Sequence, residues 1–436
     1  MYQKITLFIQ AILILGVSTA FFFSEKREIS DSEKRKLAQW PALTDSTYLS
    51  GAYFRGISSY VNDQFPRRDE LLALSNTIRY NMGLHFENEI RMVVVQAGME
   101  QGLVGSDTSN TSLNDFNDAY AGGMIILNGA VFTLNSGSTA VSPVFAAMLN
   151  DYANALPGVQ VYSAVAPLSS AYIPDEQYAH LNGKNEATLL AIRDHLNGNV
   201  KFADVMAEMN AHRNEKLFFG TDHHWTANGA YHAYVAFCKA AGFTPVDRSE
   251  MTYEKRGVFL GSLYDLTRDP SVQEHPDTLE IYKPQVSSES IRYGESGFEN
   301  GKKCALFSGA VGYTCFISGD YPLEKITTSI KNGRKACVIK NSMGNAFAVY
   351  LVSHFEEIYV VDFRYSKHNL MTLIQDNKVT DLIFGMGMYG AMSRGTIGMM
   401  RNLGLNKPYT KSNVEVPIQE KESEEIQNEN EKKSEQ

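Results

Sequence analysis

The chain has 436 residues, 44% apolar and 11% aromatic, enough for one large core or two ordinary ones with appendages. A formal net charge of −9, with no long lysine or arginine run, excludes the basic face of a nucleic-acid binder. Four cysteines (Cys238, Cys304, Cys315, Cys337) lack C-x-x-C spacing, which excludes a zinc knuckle or thioredoxin-like motif. They read as buried free thiols, although a hairpin through 308–313 would bring Cys304 and Cys315 together.

In chain order, Ile5 to Phe23 carries no charge and one strongly polar residue, Gln10. That length is close to the ~20 apolar residues a helix needs to cross a bilayer. Lys4 alone precedes it, predicting a cytoplasmic leader at 1–4 and a translocated remainder, against the pull of Lys26, Arg27, Lys34, Arg35 and Lys36 beyond the span. Phe21, Phe22 and Phe23 stand where a cleavage site needs small residues, so 5–23 is predicted to be an uncleaved anchor.

A juxtamembrane segment, 24–85, is predicted to hold helices over Ser46–Tyr60 and Asp69–Asn81, with Pro66 starting the second. Met92–Val95 and Met124–Leu127 are strand-like and bracket a polar loop, Ser106–Asn117. Beyond them α/β alternation sets in, with a helix at Ser142–Leu156, a strand at Val159–Val165 and a helix at Glu186–Asn197. Thr226 caps a further helix over Ala227–Ala241 that Gly242 closes. The pattern weakens over 252–282, apart from a short strand at Asp277–Tyr282. The last unit is clearest: strand Lys335–Lys340, helix Met343–Phe355, strand Ile358–Phe363, helix Leu370–Asp376, strand Val379–Phe384. That order predicts a parallel sheet with helices on both faces, inside a domain running from 86 to 410. The tail, 411–436, is nearly devoid of apolar residues and reads as disordered.

Two places carry chemistry-bearing residues. Thr221-Asp222-His223-His224-Trp225-Thr226 precedes the Thr226-capped helix. In extended chain Asp222 and His224 point the same way, so the carboxylate can hold the imidazole in one tautomer, as a general base requires. A structural histidine pair is the plainer reading. Asn341-Ser342-Met343-Gly344 lies at a strand-to-helix turn, where a serine stands above the sheet end near free helix N–H groups. Lys340 occupies the position of a first elbow glycine, and a serine there is more often only a cap.

TDHHWTANGAY resembles the signature of the DHHW family, which is similar to alginate O-acetyltransferase proteins of the SGNH-hydrolase-like group. Supporting segments occur in order: DQFPRRD, VAPLSSAYIP, GSLYD, DTLEIY, ISGDYP and KNSMGNAF…YVVDFRY. The resemblance implies a flavodoxin-like parallel sheet with a permuted motif order, Asp and His preceding the nucleophile. It implies Asp222, His224 and Ser342 as the triad and Arg364 as an arginine near the site. The Met343 N–H and the Ser318-Gly319 segment are the expected oxyanion donors. Trp225 and Tyr350 are candidate sugar-facing aromatics that read equally well as core, and His223 a neighbour of the base. Asn341 departs from the family's usual Asp.

The expected activity is O-acetyl transfer to a cell-surface or exported polysaccharide outside the membrane, without a cofactor or metal. A multi-pass membrane acyltransferase is the expected acetyl donor. An acetyl esterase with the same site and a non-catalytic glycan-binding subunit are the alternatives. A metal hydrolase using Asp222, His223, His224 and His232 or His275 is a further one.

Overall fold

The computed structural model describes residues 2–30, 35–83, 90–93, 123–135, 139–174 and 176–407, with some helical side chains omitted. The polar loop 106–117 and the tail 411–436 lie outside the described residues.

Helix α1, Tyr2–Phe23, covers the expected anchor. Phe8, Ile12, Leu15, Phe22 and Phe23 on it are exposed. Among the described residues, which omit several α1 side chains, no helix is long and apolar enough to cross a membrane. The predicted helix 46–60 is two helices. A turn at Asp45–Leu49, capped by Thr44, ends where Gly51 takes a φ of 71°, and α2, Ala52–Asp63, starts afresh. Gln64 then grips Arg27 through both backbone groups, fixing the segment that leaves α1 onto the end of α2. Helix α3 runs Arg68–Met82.

Three short strands, β1 (Arg91–Val93), β2 (Met124–Leu127) and β3 (Ala130–Thr133), form a small antiparallel sheet. After α4 (Ser142–Ala155) come β4 (Gln160–Ala166), α5 (Asn185–Asp194), β5 (Val200–Phe202) and α6 (Val205–Asn210). Helix α7, Ala227–Ala241, has the predicted caps: Thr226 accepts from Gly229 N, and Gly242 takes a φ of 74°. β6 (Thr252–Phe259) and β7 (Asp277–Lys283) pair as a separate hairpin.

Further along come β8 (Ser288–Tyr293), β9 (Lys302–Cys304), β10 (Leu323–Thr328), β11 (Lys335–Lys340), α8 (Gly344–Ala348), β12 (Glu357–Asp362), α9 (Leu370–Asp376), β13 (Asp381–Gly387) and, after a short helix at Met388–Met392, α10 (Arg394–Leu403). The main sheet has the order β9-β8-β10-β12-β11-β13-β4-β5. Its five strands from β12 to β5 are parallel, as expected. The sheet as a whole is mixed, because β10, β8 and β9 add antiparallel strands at one edge. Those three do not announce themselves: β9 is three residues long, and Glu324 is buried inside β10, which spoils its alternation. The predicted helix 343–355 is α8 followed by a 3-10 turn, Val349–Ser353. All four cysteines are free.

Alternation along the parallel strands divides the core between two faces. Ala336, Val338, Ile358 and Val360 face α7 and α8, with Tyr234, Phe237 and Phe347. Cys337, Ile339, Tyr359 and Val361 face α4 and α9, with Phe145, Leu149 and Leu373. Each such aliphatic or aromatic side chain contributes about 1.5–3 kcal/mol on burial, which is what fixes register.

Helix α8 lies very close to the sheet at one residue. A Cβ on Gly344 would stand 2.4 Å from Gly385 O and 2.4 Å from Lys340 Cβ. Gly344→Ala is therefore expected to destabilise the protein by about 1–3 kcal/mol, read from urea unfolding. An unchanged midpoint would mean that α8 does not sit this close.

Candidate active site

The loop carrying Asp222 and His224 is a tight excursion between two strand-like partners. Phe218 bridges Trp225, Phe219 N donates to His224 O at 3.2 Å, and Thr226 N donates to Leu217 O at 2.9 Å. Beneath it lies Asp277, the first residue of β7 and fully buried. Its carboxylate accepts from Gly220 N at 3.0 Å, Thr221 N at 2.6 Å and Thr221 Oγ1 at 2.7 Å, and pairs with Lys216 Nζ at 2.6 Å. Thr221 O in turn accepts from Leu263 N and Tyr264 N, tying the loop to the short helix Ser262–Thr267.

Asp222 sits in a pocket closed by that helix. One oxygen accepts from His224 N at 3.0 Å and lies 2.5 Å from His224 Nδ1; the other accepts from Ser262 N at 3.0 Å. Burial alone would push this carboxyl up, but the His224 imidazole, its N–H bond, His223 and the Ser262 N–H together hold it well below the usual carboxylate range. Gly261 leaves the room: a Cβ there would meet Asp222 Cβ at 2.3 Å.

On the other side of the ring, His224 Nε2 lies 2.8 Å from Ser342 Oγ. Ser342 follows β11 and is partly exposed, whereas Asp222 and His224 are buried. Met343 stands at the turn into α8, as its N-cap residue. Gly319 is different, because its N–H donates to Phe316 O at 3.1 Å and is not available to an oxyanion in this conformation.

Several sequence expectations need correction. The chain at 221–224 is bent rather than extended, so His223 does not point away. Its ring lies 3.8 Å from that of His224, and its Nδ1 is 2.7 Å from Ser262 Oγ. Trp225 and Tyr350 are fully buried and offer no surface to a sugar. Tyr350 OH donates to Ala227 O at 3.1 Å, a core contact. Arg364 is buried as well, with its guanidinium forked on Asp362 and 3.0 Å from Asp320. Lys340, at the position of an elbow glycine, joins the same network with 2.7 Å contacts to both carboxylates. Burial opposes the Asp320 charge, but Lys340 and Arg364 outweigh it and hold the carboxyl well below its ordinary range.

Asn341 Oδ1 accepts from Gly387 N at 3.0 Å, bonding the elbow to the end of β13. A carboxylate there would accept the same bond. His232 stacks on His212 and His275 bonds Ser271 O, so neither joins the Asp222–His223–His224 group.

Sequence reasoning missed Tyr313. Its ring stacks on His224 at 3.6 Å and 6°. Its hydroxyl accepts from Trp225 Nε1 at 3.1 Å and donates to Met343 O at 2.7 Å. One phenol thus backs the imidazole and joins the His loop to the serine turn. Nothing local marks it, since the segment 309–313 reads only as Gly-rich.

Burial, with His224 and Arg364 acting in the same sense, lowers His223 to about 3, although Asp222 opposes them. Unfolded, the imidazole titrates near 6.5. The unfolded chain therefore takes up this proton first, so the stability tied to neutral His223 is complete above about pH 6.5 and drains away towards pH 3. His223→Gln is expected to flatten that limb of the stability–pH profile; an unaltered slope would mean that His223 is not held neutral.

The pattern of a family described as DHHW protein matches residues 85–361, more than half of the chain. Among solved structures, a DHHW family protein from Eubacterium siraeum is 30% identical at a TM-score of 0.59, covering 64% of this chain and 95% of that one. PatB1 of Bacillus cereus is 18% identical at a TM-score of 0.52, covering 63% and 98%, a likeness of fold. The O-acetyltransferase domain of Pseudomonas putida AlgJ, 13% identical, covers 63% of this chain and 96% of its own at a TM-score of 0.35, too loose to carry weight. No curated protein matches the chain.

Proposed function

We propose, from the premise that the chain belongs to the DHHW family, that it is an extracytoplasmic O-acetyltransferase acting through Ser342 on a polysaccharide. The observation that carries the reading is the continuous line Asp222–His224–Ser342, with contacts of 2.5 and 2.8 Å either side of one imidazole.

In this mechanism Ser342 Oγ attacks the acetyl carbonyl carbon while its proton passes to His224 Nε2. Asp222, held ionised, supports the imidazolium. The Met343 N–H faces the oxyanion. Collapse breaks the bond to the donor's leaving oxygen, which takes the proton from His224 and departs, leaving acetyl-Ser342. A sugar hydroxyl then gives its proton to His224 and attacks the acetyl carbon; the bond to Ser342 Oγ breaks as the serine takes that proton back from His224. Asn341 is compatible with this chemistry, because its contact to Gly387 N is one that a carboxylate would make equally. The partial exposure of Ser342 favours a second outcome from the same site: water in place of the sugar gives an acetyl esterase.

The location rests on α1. Its stretch from Ile5 to Phe23 is free of charge, and Phe8, Ile12, Leu15, Phe22 and Phe23 on it are exposed, which suits an anchor with the catalytic domain outside. A donor crossing from the cytoplasm then calls for a multi-pass membrane acyltransferase as partner.

With a chromogenic acetyl ester, Ser342→Ala and His224→Ala are each expected to cut acetyl release by roughly three orders of magnitude or more. A soluble polysaccharide acceptor should divert acetyl groups from water to sugar. Release that survives Ser342→Ala would refute the serine mechanism.

Tyr313→Phe keeps the stacked ring but loses both hydroxyl bonds. A drop in kcat of about ten- to a hundredfold at unchanged KM is expected. If kcat holds, the phenol does not position the imidazole.

A further inference from the structure

Away from the Ser342 site, a recess lies where α1 ends. A cleft of about 360 Å³ opens there, with Glu25 and Arg27 on one wall and Arg67, Arg68 and Glu70 on the other. Hydrogen bonds from buried side chains hold its walls together. Gln64 Oε1 accepts from Arg27 N at 3.0 Å, and Gln64 Nε2 donates to Arg27 O at 2.8 Å. Asp63 Oδ2 accepts from Ala38 N at 2.8 Å, so one buried pair at the end of α2 fixes both segments that pass it.

The charge of the cleft leans positive, because Arg27, Arg67 and Arg68 face only Glu25 and Glu70. Glu70 pairs with Arg67, but these side chains are 62% and 76% exposed, and an ion pair so wet contributes little. A phosphate can take over that guanidinium, meeting it through two oxygens. Arg67 also has a φ of 52°, a conformation that favours glycine, so the backbone is strained at a residue whose charge lines the cleft.

What adjoins the cleft indicates what would fill it. Phe22 and Phe23, at the end of α1, are 79% and 86% exposed. A lipid packed on them in a bilayer carries its headgroup level with the residues that follow, where the cleft opens. Trp40 stands edge-on to Tyr60 at 5.2 Å, and Tyr60 edge-on to Phe21 at 6.1 Å, as in the aromatic girdle of a membrane–water boundary. From the cleft α3 leads away with Leu71, Leu74 and Ile78 exposed at helical spacing, the kind of face that lies along lipid.

We propose that this cleft binds the phosphate of an anionic phospholipid headgroup through Arg27, Arg67 and Arg68, seating the juxtamembrane helices on the bilayer surface. A net positive cleft favours a headgroup that carries no ammonium of its own. The inference rests on the reading of α1 as an anchor.

The test reconstitutes the full chain in vesicles of phosphatidylcholine and phosphatidylglycerol, with bromine on the acyl chains of one lipid or the other. The chain has two tryptophans and Trp225 is 1% exposed, so quenching reports Trp40. At equal mole fraction, brominated phosphatidylglycerol should quench Trp40 more than brominated phosphatidylcholine does. Arg67→Gln and Arg68→Gln should each lower the apparent affinity for phosphatidylglycerol by about fivefold while unfolding at the parent's midpoint. An alkaline carbonate wash reads α1 separately. A chain that washes off would overturn the anchor and this site with it. A chain that stays but is quenched equally by both lipids or by neither, or whose variants match the parent, would overturn the site alone. Loss of the preference to inorganic phosphate at the concentration of the lipid would overturn the choice of a lipid.

Discussion

The site depends on a carboxylate that is removed from water yet kept ionised. Burying Asp222 costs several kcal/mol unless each oxygen is met, and here both are, by N–H groups from His224 and Ser262. The donors come from two segments that meet only because Gly261 has no side chain. Asp277 repeats the device one layer down, with backbone and hydroxyl donors from Gly220 and Thr221. A pair of satisfied acids therefore shapes a loop that has no regular hydrogen-bond ladder of its own.

The serine is fixed by different means. Below its turn, Lys340, Arg364, Asp320 and Asp362 form a closed set of two cations and two anions. Lys340 and Asp362 are register partners on β11 and β12, while Asp320 belongs to the segment leading into β10. The parallel strands and the antiparallel edge are thereby pinned together under the nucleophile. Arg364, expected near the site, serves this support.

What could be read from the sequence follows what is local. α7 was legible to the residue because Thr226 and Gly242 are adjacent signals, and β11 because six residues alternate between two buried faces. The proximity of Asp222 and His224 was legible for the same reason. Long-range relations were not: Tyr313 reaches His224 and Met343 from a segment with no periodic pattern, and β8 to β10 owe their pairing to neighbours rather than to composition. Of the two readings open for Trp225 and Tyr350, the core one holds, since both turn their polar atoms to protein partners.

The acid and the base sit two residues apart on one loop, while the serine arrives from 118 residues further along. The first relation is carried by local bonds; the second is a property of the whole sheet. Heredity can treat the two halves differently. The Asp–His pair carries its own contacts wherever its loop goes, provided that an acid like Asp277 and a donor like Ser262 N travel with it. The serine must be rediscovered by each new topology that receives it, and a scaffold that lets it drift leaves a well-formed base with nothing to activate.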